Sequence, residues 1–217
     1  KIKIFETKKE YVERINIFGN SITDDHVIRF QIISDEGEPF NDTLLARSIN
    51  NIRGLRIFEN VSYSVEPGST SSQKIININV EEKATGEISA GAGVGTSGST
   101  IAFGIIENNY MGKGIKLDAN LAISEESIKG LFAVNNPNFR LSGNSLNTRI
   151  ESSTTNRLAD QGYKTTKTGF SFGTYFEQWD DIYLAPKIAT YYENLSTTTT
   201  ASSALIKQDG TYFYTNV

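Results

Sequence analysis

Glu81-Glu82-Lys83-Ala84-Thr85-Gly86-Glu87-Ile88-Ser89-Ala90-Gly91-Ala92-Gly93-Val94-Gly95 is the stretch that decides the fold. Ahead of it, apolar residues recur at strand and helix spacings in turn. Behind it they recur every second residue, and no helical stripe returns. Within it, Ile88, Ala90, Ala92 and Val94 face one way and Glu87, Ser89, Gly91 and Gly93 the other. The glycines superficially suggest a nucleotide-binding loop. That loop needs a helix after it, and here a strand pattern follows.

Upstream, Tyr11–Phe18 alternates and Gly19-Asn20 closes it as a turn. Thr23 is placed to cap a helix carrying Val27, Ile28, Phe30, Ile32 and Ile33, with Asp24 and Asp25 favouring its positive end. A second helix is expected from about Asp42, with Leu45, Ile49 and Ile52 on one face and Gly54 at its C-terminal cap. Val61, Tyr63 and Val65 alternate, as do Ile76, Ile78 and Val80. The order β-α-α-β-β is a compact α+β module, with two helices on one face of a three-stranded sheet. Lys1–Glu10 echoes Ile76–Lys83, each a strand ending in charge. Residues 1–7 are therefore expected to be the last strand of an upstream copy, and 8–83 the module itself.

Downstream, from residue 84 to 217, about eight alternating segments follow. The clearest sets Ile115, Leu117, Ala119, Leu121 and Ile123 against Lys116, Asp118, Asn120 and Ala122. Segments of roughly nine to eleven residues match tilted strands crossing ~25–30 Å of hydrocarbon. Tyr110, Phe139, Tyr175 and Trp179 sit near turns, where an interfacial girdle belongs. Pro186 lies inside one expected strand, where it lacks a ladder donor, so a bulge or a boundary is expected there. Alternation alone also fits a soluble β-sandwich or a lipocalin-like barrel. The unbroken series of long hairpins favours membrane strands.

The chain has 217 residues, no cysteine, one histidine (His26) and a net charge of −4. Disulfides and thiolate metal sites are excluded. The charge argues against a nucleic-acid partner. A Ser/His/Asp catalytic group is not available with one histidine in the first module. Asp24-Asp25-His26 points three ways on a helix, and Glu125-Glu126 reads as a solvated hairpin tip. No enzyme activity, metal or cofactor is expected.

Several motifs, in order, resemble one family. Tyr11-Val12-Glu13-Arg14-Ile15-Asn16-Ile17-Phe18-Gly19-Asn20 looks like the opening strand of a POTRA domain, and Arg56-Ile57-Phe58-Glu59-Asn60-Val61 like the entry to its second strand. Val80–Lys83 followed by Gly86–Gly95 is similar to the join between the last POTRA domain and the first barrel strand in BamA-type outer membrane protein assembly factors. Asn108–Gly114 and Asn136-Pro137-Asn138-Phe139 resemble that family's first two periplasmic turns.

The resemblance implies insertion of unfolded β-barrel proteins into the bacterial outer membrane, with the POTRA domain in the periplasm and accessory lipoproteins as partners. It implies that Gly86, Ile88, Ala90, Gly91, Gly93 and Gly95 lie on a weak gate strand, since glycine lowers strand stability. It also implies that the strand of Val61, Tyr63 and Val65 receives client or partner segments by edge addition. A POTRA-barrel transporter, of two-partner secretion or translocation-assembly type, is the alternative. Barrels of this family have about twice the strands found here, and a late-loop arginine motif is missing. The chain is expected to be a fragment.

Overall fold

The computed structural model describes residues 9–95, 98–179 and 182–217. The strand expected at residues 1–7 lies outside them. The described chain forms two compact units, Lys1–Thr85 with Met111–Gly114, and Gly86–Tyr110 with Ile115–Val217.

The first unit runs β1 (Tyr11–Phe18), α1 (Asp25–Arg29), α2 (Asp42–Gly54), β2 (Phe58–Pro67) and β3 (Gln73–Glu82). The sheet order is β1-β3-β2, so β3 is central, parallel to β1 and antiparallel to β2. Ile76, Ile78 and Val80 of β3 pack with Val12, Ile15, Ile28, Leu45, Ile49 and Ile52 in one buried core. Asn41 caps α2 by accepting from the Thr43 and Leu44 amides. Buried Ser48 is satisfied twice: its hydroxyl donates to the Leu44 carbonyl and accepts from the Ile33 amide.

Three local expectations are corrected. Helix α1 has only five residues and its N-cap is Asp24, without a side-chain cap bond. Thr23 is instead buried, and its amide donates to Glu82 at 2.6 Å. The stripe to Ile33 fails as a helix because the Gln31 and Ile32 amides tighten into i→i−3 bonds and Ser48 takes the Ile33 amide. At the end of α2, Gly54 is still helical and Leu55 is the C-cap. The left-handed residue is Arg56, with φ 60°.

The second unit is an antiparallel meander: β4 (Gly86–Gly95), β5 (Gly98–Tyr110), β6 (Ile115–Ser124), β7 (Ser127–Asn136), β8 (Ser145–Arg157), β9 (Tyr163–Trp179), β10 (Ile182–Leu184), β11 (Lys187–Thr197) and β12 (Gly210–Asn216), with a one-turn helix α3 (Ser203–Ile206) before β12. Among the described residues, eight strands follow one path, β12-β11-β9-β8-β7-β6-β5-β4, and β10 lies off it, paired with β9. Pro186 falls between β10 and β11, so the strand breaks there. Its carbonyl still accepts the Thr174 amide, at 3.1 Å. The fold class is a POTRA-like α+β module followed by a large antiparallel sheet.

Candidate functional site: a two-faced sheet with an open first strand

The register sorts every strand of the second unit into two faces. Ile88, Ile105, Ala119, Phe132, Ile150 and Phe170 form one paired row on the outward face. Above and below it on that face lie Phe103, Leu121, Ile128, Val134 and Phe172. The other face carries Glu87, Asp118, Lys129, Arg149, Glu151 and Lys167. A hollow of about 460 Å³ on this face is lined by Asn120, Lys129, Arg149, Glu151 and Lys167, among others. Apolar out and charged in is the pattern of a membrane barrel around a wet interior.

The apolar run also shifts along the strands. On β4 it reaches Val94, six residues beyond the Ile88 row (94 − 88). On β8 and β9 it stops at the row itself, with Ile150 and Phe170, and hydroxyl pairs follow: Ser152 with Thr168 at 3.0 Å and Thr154 with Thr166 at 3.2 Å. A drift of six residues, ~20 Å, over the four strand spacings from β4 to β8, ~19 Å, is the slope of strands tilted roughly 45° from the normal of an apolar slab. Tyr110, Phe139, Tyr175 and Trp179 all fall at one end of the sheet, the end at which β4 begins.

Strand β4 is the terminal strand. It pairs with β5 from Gly86↔Glu107 to Gly95↔Gly98, and among the described residues its other edge pairs with nothing. All ten of its residues are exposed. Gly86, Ile88 and Ala90 share the outward face with Ala92 and Val94, while Gly91, Gly93 and Gly95 share the other. A Cβ added at Gly91, Gly93 or Gly95 meets nothing within 4 Å, and none has a positive φ. Close packing does not require these glycines within this chain. What remains is their backbone entropy and the cross-strand contact they forgo. Gly104 of β5 differs: a Cβ there would collide with the Ser89 and Asn120 side chains.

In the first unit, β2 is an edge strand. Val61 is buried in the core and Val65 packs against it, so only Tyr63 of the three offers an exposed side chain, at 45%. What β2 presents to a partner is its backbone edge. At the end of β3, Glu82 accepts hydrogen bonds from the Ser21 hydroxyl and the Ile22 and Thr23 amides. Partial burial pushes its carboxyl up, but the bonds from Thr23, Ile22 and Ser21 together hold it below its ordinary value.

The Asp24-Asp25-His26 run is engaged locally, with Asp25 paired to Arg29 at 2.5 Å and Asp24 3.8 Å from His26. Glu125 and Glu126, expected as a solvated tip, are both engaged. Glu125 accepts the Ser99 amide at 3.2 Å, and Glu126 accepts the Arg157 guanidinium at 3.0 Å. Sequence reading missed them because their partners lie 26 and 31 residues away. Trp179-Asp180-Asp181 is described only at Trp179, since 180 and 181 lie outside the described residues.

Against known proteins, the POTRA family model, described as a surface antigen variable number repeat, matches residues 10–83. The outer membrane protein assembly factor BamA of Neisseria meningitidis serogroup B is 29% identical over 141 residues, covering 64% of this chain and 18% of the relative. A putative outer membrane protein assembly factor of Treponema pallidum is 31% identical over 134 residues, covering 58% of this chain and 16% of the relative. The crystal structure of BamA from Haemophilus ducreyi lacking POTRA domains 1–3 shares the fold, with a TM-score of 0.73 at 22% identity, over 96% of this chain and 42% of that one. CdiB from Escherichia coli shares it less closely, with a TM-score of 0.57 at 12% identity, over 87% of this chain and 42% of that one. The chain spans less than a fifth of the length of these curated relatives.

Fold and faces together define a POTRA domain joined to the sheet of an outer-membrane-type β-barrel. Within that class its sequence is similar to BamA-type outer membrane protein assembly factors, and its fold to that of a BamA barrel.

Proposed function

We propose that this chain is the part of an outer membrane protein assembly factor in which the client-receiving domain meets the gate strand. The carrying observation is β4: among the described residues it has one ladder, and within this chain a Cβ at Gly91, Gly93 or Gly95 would meet nothing. A strand held on one side only is a template for another strand. A client strand adding to the free edge of β4 gains main-chain hydrogen bonds, and glycine keeps the edge easy to distort and release. The exchange is non-covalent.

The rest of the reading is supported by the similarity to outer membrane protein assembly factors. The outward apolar face sits in outer-membrane lipid, and the first unit sits in the periplasm. Clients are unfolded β-barrel proteins, met first at the backbone edge of β2 beside Tyr63, and accessory lipoproteins assist. The transporter alternative shares the fold, and nothing in β4 or β2 favours it.

The test is a crosslink in the full natural chain. A cysteine at Gly91 or Gly93, joined to the strand that closes the barrel, is expected to stop client insertion, and reduction is expected to restore it. Normal insertion with the seam locked would refute the gate.

A further inference from the structure

The connections at the sheet end where β4 finishes hold one another in sequence. The paired register of β5 with β6 ends at Thr100↔Ser124. One residue further, the Ser99 amide donates to the Glu125 carboxylate at 3.2 Å. Gly98 has φ 82°, and a Cβ there would lie 2.7–3.0 Å from the carboxylate atoms of Glu125, so glycine is what lets the carboxylate lie over the turn. The register of β7 with β8 ends at Ser127↔Thr155. One residue further, the Asn156 amide donates to the Glu126 carbonyl at 2.7 Å, and Arg157 Nε donates to the Glu126 carboxylate at 3.0 Å. Both side chains of this pair are less than a third exposed, at 28% and 26%. That sets it apart from a freely solvated ion pair. Ser124 closes the turn by accepting the Ser127 amide at 3.0 Å.

Two adjacent glutamates thus add side-chain bonds beyond the registered pairs of two different ladders, one on each side of the β6–β7 turn. We propose that Glu125 and Glu126 are positioning residues that form a double clasp. Glu125 holds the far end of the β4–β5 hairpin, Glu126 anchors the β6–β7 turn to β8, and together they limit how far β4 peels away. Glu125 matters because, among the described residues, β4 pairs with β5 alone, and the Ser99 amide that Glu125 holds lies opposite Val94 on β4. The functional consequence rests on the gate reading given above.

The experiment is amide hydrogen exchange on the full natural chain in lipid nanodiscs, read beside its client-insertion rate. Removing one charged acceptor from a turn is expected to speed local exchange about fivefold or more. Glu125→Ala should do so at Val94 and Ile101 and leave the middle of β8–β9 unchanged. Glu125→Gln keeps an acceptor oxygen and should stay near the parent. Glu126→Ala should loosen Asn156 and Arg157, and the swap of Glu126→Arg with Arg157→Glu should recover most of the protection. Unchanged exchange at Val94 and Ile101 in Glu125→Ala overturns the clasp. Faster exchange with an unaltered insertion rate overturns its role in limiting the gate. The gate reading itself is judged separately, by the seam crosslink in the unsubstituted background.

Discussion

The two units place their apolar residues in opposite ways. Of the sixteen buried hydrophobic residues among those described, thirteen form the core of the first unit. The second unit contributes Ala189, Leu195 and Ala201, although it is the larger unit. Its large side chains, Phe103, Phe132, Ile150, Phe170 and Phe172 among them, stand on the outward face, each about half exposed. The first unit hides its apolar surface from water by its own packing. Among the described residues the second shows no comparable packed core, and its outward face is the surface that the proposed function sets in lipid. The change between the two arrangements falls within the three residues Lys83, Ala84 and Thr85, between β3 and β4.

The contrast predicts opposite mutational sensitivities. The largest effect belongs to the packed core. Ile78 is fully buried on the central strand, and Ile78→Ala is expected to cost about 2–5 kcal/mol in urea unfolding of the first unit. A loss below about 1 kcal/mol would contradict the core described here. Next comes the outward face of the sheet. Phe132→Arg is expected to cost about 2–4 kcal/mol in folding into lipid vesicles, as for a cation near mid-slab. Ala133→Arg, one residue on and facing the wet side, is expected to cost little. Equal penalties for the two would break the two-faced assignment.

A smaller effect is carried by Glu82 and depends on pH. Its carboxyl is held below the ordinary value of 4.5 in the folded state. Its contribution is therefore complete above that value and fades as pH falls through the lower, folded value. Glu82→Gln is expected to lower the melting temperature of the first unit at pH 7, and the difference from the parent is expected to shrink below about pH 4. A gap that stays constant down to pH 3 would remove the carboxylate from this role.

The sheet was legible in the sequence because its signal is local and repeated. Alternation such as Ile115-Lys116-Leu117-Asp118 places each side chain without knowledge of any other strand. The edge roles of β2 and β4 were expected only from the family resemblance, because sheet order is set by pairings between distant segments. Helix α1 was misread because its limit is set from a distance. Ser48, fifteen residues along, captures the Ile33 amide, and Glu82, fifty-nine residues along, captures that of Thr23. Glu125 and Glu126 escaped for the same reason. Carboxylates that act across loops leave no periodic trace, whereas the tilt of the sheet becomes measurable only once the register is known.

The smallest expected effect is the one that bears most directly on the gate. If Gly91 and Gly93 are kept to hold β4 weak, filling them should stabilise the strand, because a Cβ there meets open space. Each Gly→Ala change is expected to stabilise β4 by about 0.5–1 kcal/mol through reduced backbone freedom. The double change Gly91→Ala with Gly93→Ala should therefore slow hydrogen exchange along β4 and slow client insertion together. The same change at Gly104 serves as the control. A Cβ there strikes Ser89 and Asn120, so Gly104→Ala should destabilise the same hairpin and speed its exchange. Opposite signs at two neighbouring strands of one sheet would separate a glycine kept for weakness from one kept for space. Slower exchange on β4 without slower insertion would show that edge stability does not set the rate of entry.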